Sequence, residues 1–97
     1  MTKEQQSVLQ EAQELVMGNR QADYGHPRAN YESIASLFNG YLRPAGVLTK
    51  DMSPDDAAML MLLMKVGRYA TGSRKRDTIV DLAGYAEVIA RIVGLDE

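Results

Sequence analysis

The chain has no cysteine, a single histidine, one phenylalanine and three prolines among its 97 residues. Without cysteine there is no disulfide, no thiolate nucleophile and no cysteine-ligated metal, and the usual sign of an oxidising compartment is missing. Long apolar runs are also missing. The longest, AAMLMLLM at residues 57–64, falls well short of the roughly 20 residues that cross a bilayer as a helix. No charged-then-apolar signal segment opens the chain, so the expected location is the cytoplasm with no membrane partner. Nor is there an excess of positive charge. The formal charge of −2 argues against general binding of duplex nucleic acid, which needs a broad cationic surface to neutralise phosphates. It leaves room for a local basic site.

What is present suits one helical domain spanning residues 1–97. The composition is 45% apolar and 25% charged, enough for one modest core. A chain this short buries a small fraction of its surface, so a homo-oligomer is the expected assembly. Thr2 with Gln5 forms a capping-box pattern, and Gly18-Asn19 suits a left-handed helix end. Between them Val8, Leu9, Ala12, Leu15 and Val16 make one stripe at helical spacing. Tyr24-Gly25 predicts a turn and His26-Pro27 a second helix start, with Ile34, Ala35, Phe38, Tyr41 and Leu42 as its apolar face. The stretch RPAGVLTKDMS at residues 43–53 breaks that pattern. Ser53-Pro54-Asp55-Asp56 then supplies a serine cap, a first-turn proline and two carboxylates at the positive end of a third helix. From Ala57 to Val66 that helix is apolar nearly all round, which predicts a central element packed on several sides or an oligomer contact. A last helix is expected from about Asp77 to Val93, with Ile79, Leu82, Ala83, Ala86, Ile89, Ala90 and Val93 as its core stripe. The fold class is all-α, a compact four-helix bundle-like domain.

Two charges sit where charge is costly. Lys65 follows the apolar run, and Asp81 lies within IVDLAGY, so each needs a partner. An ion pair between Lys65 or Arg68 and Asp77 or Asp81 would satisfy them structurally. The same spacing also permits a ligand cleft. Lys65 and Arg68 share one helix face, and Asp77, Asp81 and Tyr85 follow one another four apart on the next helix. Cations could hold a phosphate there, while carboxylates and a ring hold a base or a sugar hydroxyl. SRKRD at residues 73–77 adds three cations, Arg76 the last, before a helix start whose free N–H groups favour anions. Such a run is also at home simply solvated. Arg20, Tyr24, His26, Arg28 and Asn30 gather around the second helix start. For His26 the alternative reading is a helix cap, and for Asp23 a turn-forming side chain.

DYGHPRANYESIASLF, DAAMLMLLMKVGRYA and RDTIVDLAGYAEVIARI together resemble a small protein family of unknown function that is common in tailed-phage genomes. The resemblance runs from about Arg20 to Ile92. It rests on Asp23-Tyr24-Gly25, Pro27, Asn30, Asp56, Lys65, Arg68, Asp77, Asp81 and Gly84-Tyr85. More distantly, the order of a DYG loop, a K..R helix and a D...D..GY helix is similar to the phage nucleotide-modification-associated domain and to all-helical MazG-like nucleotide pyrophosphohydrolases. That similarity implies a nucleotide as ligand and the cytoplasm of an infected bacterium as location. MazG-like enzymes hold magnesium through Glu-x-x-Glu and Glu-x-x-Asp pairs, because a hard cation takes several converging oxygens. This chain departs from both patterns. Glu11 and Glu14 lie on the first helix, with Glu14 pointing away from its apolar stripe. Glu32 has alanines, Ala29 and Ala35, where a partner carboxylate belongs, and Thr78 stands where the second motif has glutamate. Only Asp81 carries over cleanly.

Three readings compete. The first is a nucleotide-binding homo-oligomer without catalysis or cofactor, gripping its ligand through Arg20, Tyr24, His26, Arg28, Asn30, Lys65, Arg68, Arg76, Asp77, Asp81 and Tyr85. By analogy with small helical phage proteins it could act as an anti-defence sponge for a cyclic nucleotide signal. The second is a magnesium-dependent pyrophosphohydrolase with Asp77 and Asp81 as metal ligands. The third is a structural or protein-interaction bundle in which Lys65 and Asp81 lock the core. Abundant cations and incomplete metal carboxylates favour the first.

Overall fold

The computed structural model describes residues 6–18 and 25–95. Within them are four helices and no strand: α1 (Val8–Met17), α2 (Pro27–Leu42), α3 (Pro54–Ala70) and α4 (Arg76–Val93). The molecule is an all-α bundle, as the periodicity predicts.

α1 starts later than the Thr2–Gln5 pattern predicts. That pattern falls on residues outside those described, and the cap of α1 is Ser7. Its hydroxyl accepts from Gln10 N at 3.0 Å while Gln10 Oε1 accepts from Ser7 N at 2.9 Å. Ser7 and Gln10 repeat the same capping-box spacing and adjoin the first core residues, so this box closes the helix. Gly18 ends α1 with a negative φ of −96°, not in the left-handed form. The left-handed cap belongs to Gly94, φ 76°, at the end of α4. The α3 start is as expected: Ser53 Oγ accepts from Asp56 N, and Asp56 Oδ2 accepts from Ser53 N. Pro54 occupies the first turn.

The central helix is α4; α3, expected to be either a central element packed on several sides or an oligomer contact, packs against α2 and α4 and leaves its outer face open. α4 packs against α1, α2 and α3, whereas α1 packs on α4 alone. Contact on three sides widens the buried arc of α4, so Thr78, Val80, Val88 and Ile92 are buried while Ile79, Ala86 and Val93 of the predicted stripe face outward. Gly84 marks the crossing of α1, where an added Cβ would lie 3.6 Å from Val16 Cγ2. The core joins Val16, Tyr31, Ala35, Ala57, Ala58, Val88 and Ile92. On α2 the buried ring is Tyr31, and Tyr41 is 74% exposed.

The α2–α3 connection is pinned by one amide. Asn39 Nδ2 donates to the Met52 carbonyl at 3.0 Å and its Oδ1 accepts from Met52 N at 2.7 Å. Arg43 adds an ion pair to Asp51 at 2.9 Å. Together these set where Ser53 launches α3, and so the register of Lys65 against α4.

Candidate functional site

Lys65 and Asp81 meet between α3 and α4, Nζ to Oδ2 at 3.0 Å, with side chains 20% and 35% exposed. The helical register explains the pairing: Lys65 shares the inward face of α3 with Ala58 and Met61, and α4 covers that face. A half-buried ammonium there needs a carboxylate, and Asp81 supplies it. One turn on, Tyr85 packs against the core cluster. Asp77 is exposed in the first turn of α4.

The structure disperses the other predicted residues. Arg76 turns toward α1, its Nε 3.1 Å from Glu11 Oε2 and its Nη2 donating to the Gln6 carbonyl at 2.7 Å. Arg28 Nε donates to the Ile92 carbonyl at 2.9 Å and ties the start of α2 to the end of α4. That carbonyl lies in the last turn of α4, where it lacks a helical donor and carries partial negative charge. His26 is the N-cap of α2, its Nδ1 accepting from Arg28 N at 3.1 Å. Asn30 is half-buried in the first turn of α2. Arg20 and Tyr24 lie outside the described residues.

A cationic corner forms where α3 turns into α4. Thr71 Oγ1 donates to the Gly67 carbonyl at 2.9 Å, Ser73 N donates to the Arg68 carbonyl at 2.8 Å, and Gly72 takes a φ of 124°. This tight reversal brings Arg74 back over Tyr69, its guanidinium carbon 5.2 Å from the ring centroid. Arg68, Arg74 and Lys75 are all exposed, and among the described residues no ion pair engages them. Lys75 is the N-cap of α4 and offers no side-chain acceptor to its first-turn N–H groups. Three exposed cations thus lie along the reversal that leads into α4, an arrangement that attracts a phosphate. The run at residues 73–77 signalled this corner in sequence. The roles of Arg74 and Tyr69 did not show there, because they depend on the reversal at Gly72.

A magnesium site fits these residues poorly. Among the described residues no group of three histidine or carboxylate side chains could hold a metal ion. Asp81, the best carried-over ligand, already faces the Lys65 ammonium. No helix among the described residues is long and apolar enough to cross a membrane.

Residues 7–93 match the model of a family described as a domain of unknown function, DUF6378. The Gene 55 protein of Mycobacterium phage D29 is 46% identical over 87 residues, covering 90% of this chain and 54% of that protein. The Gene 55 protein of Mycobacterium phage L5 is 40% identical over 86 residues, covering 89% of this chain and 52% of that protein. The chain therefore spans about half the length of these curated relatives. No solved structure matches it significantly.

Proposed function

The chain belongs to the DUF6378 family, a family of small phage proteins, and we propose that it is a non-catalytic nucleotide-binding protein holding its ligand's phosphates at the α3–α4 corner. One observation carries this reading: Arg68, Arg74 and Lys75, engaged in no ion pair among the described residues, lie exposed along the reversal from α3 into α4 in a chain of net charge −2. Phosphates would take the guanidinium and ammonium donors, with the Tyr69 ring beside Arg74 offering a face to a base. The resemblance to nucleotide-handling helical proteins supports a nucleotide over a bare anion. Sequestration of a cyclic nucleotide used as an immune signal is the role proposed for such binding in an infected cell.

Hydrolysis is the weaker reading. It needs Asp77 and Asp81 as metal ligands, and the Lys65 contact opposes a cation at Asp81. The test is incubation of the purified protein with linear and cyclic nucleotides, followed by denaturation and chromatography of the released ligand. The proposal expects binding, weakened by Arg68→Ala and by Arg74→Ala, with the ligand returned intact. Monophosphate and pyrophosphate in the eluate would overturn it in favour of the hydrolase, and binding to none of the nucleotides would overturn both.

A further inference from the structure

α3 turns its smallest apolar side chains to its own core and its largest to the outside. Ala57 and Ala58 are fully buried, whereas Met59, Leu60, Leu63, Met64 and Val66 are between 41% and 52% exposed. The one charged residue from Ala57 to Gly67 is Lys65, and it points inward to Asp81. The outer face of this helix is therefore a continuous apolar surface with no charge to interrupt it. Elsewhere Leu37 and Tyr41, one turn apart on α2, make a smaller exposed pair, and Leu9 on α1 has Gln6 and Gln13 beside it.

Two observations identify what covers this face. The first is Gly67. Glycine is among the poorest residues in a helix interior, and apart from its chain neighbours and its own helix backbone nothing among the described residues lies within 4 Å of the Cβ it lacks. It leaves an open notch on this face, which a second helix can fill. The second is the order of sizes. Bulky Met59 and Leu60 lie toward the start of α3, and small Gly67 and Ala70 toward its end. Two copies of this helix running antiparallel bring the bulky end of each onto the notch of the other.

We infer that the outer face of α3 is the seam of a two-fold dimer with a second copy of this chain. The axis passes near Leu63, so that residue meets its own counterpart and Met59 of each copy covers Gly67 of the other. The interface is isologous and closes after two chains. It stands whether or not a nucleotide binds.

Sedimentation at micromolar concentration should give twice the mass of one chain. Leu63→Lys should return the mass of one chain with its helical circular dichroism kept, because Leu63 faces outward. The chain has no cysteine, so a single Leu63→Cys protein should oxidise to a disulfide-linked pair far faster than Leu37→Cys, which is more exposed but lies on α2. A wild-type mass of one chain overturns the inference. So does an assembly that Leu63→Lys leaves intact, a loss of helicity in that variant, or equal cross-linking at the two cysteines.

Discussion

Lys65 is the residue on which the α3–α4 contact turns. Its pair with Asp81 lies between the exposed and buried extremes, with the lysine the more enclosed partner. Asp81→Ala should cost about 1–2 kcal/mol, and Lys65→Met less, because removing the aspartate strands the more deeply placed charge. Urea midpoints should report both, and the double variant should cost less than the sum of the two. Neither change should weaken nucleotide binding, since the pair is not at the cationic corner. Arg68→Ala should do the reverse, lowering affinity while the urea midpoint of the free protein stays within about 0.5 kcal/mol of wild type. At this scale the sequence was informative where burial forces a partner. A charge inside an apolar run must find an opposite charge, and the four-residue spacing of Asp77 and Asp81 named two candidates. It was silent on Asn39, whose clamp on Met52 joins residues 13 apart in sequence and has no local pattern.

Among the elements, α1 has the fewest ties. It packs only on α4, and Arg76 joins its first turn to α4 through Glu11 and the Gln6 carbonyl. Arg76→Ala should cost roughly 1 kcal/mol. Hydrogen exchange should place the loss in the amides of α1, with the core of α2, α3 and α4 protected as before. Gly67 in α3 gives a sharper test, because two effects oppose each other. In dilute monomer Gly67→Ala should stabilise the helix by up to about 1 kcal/mol, while at high concentration the added methyl should weaken self-association. A calorimetric melting temperature that rises in dilute solution and rises less, or falls, in concentrated solution would show both. The helices themselves were legible because capping chemistry is local: Ser53-Pro54-Asp55-Asp56 could start only a helix. Which face of each helix lies inward was less so. Periodicity assigned Tyr41 and Ile79 to cores that the structure builds from Tyr31 and Val80, because an inward face is chosen by the neighbours and not by the helix alone.

For the whole molecule, the same limit explains what sequence could say of function. Composition excluded thiol chemistry and broad nucleic-acid binding, and the cation run pointed toward an anion. The predicted single cleft did not form from all its members: Arg28 serves the end of α4, Arg76 serves α1, and His26 caps α2. What gathers instead is the corner of Arg68, Arg74 and Lys75, assembled by the reversal at Gly72. If two copies pair through α3, thermal stability should rise with protein concentration, by mass action on a dimer. A melting temperature flat over a hundredfold dilution, with no dimer by sedimentation, would remove the second copy from the account. The central claim, phosphate recognition at this corner, is tested most directly by equilibrium dialysis of labelled linear and cyclic nucleotides against the wild-type protein and the Arg68→Ala/Arg74→Ala double variant. Saturable binding of at least one nucleotide is expected, weakened at least tenfold in the double variant, with the ligand recovered unaltered after denaturation. Equal binding by both proteins, or binding by neither, would contradict it.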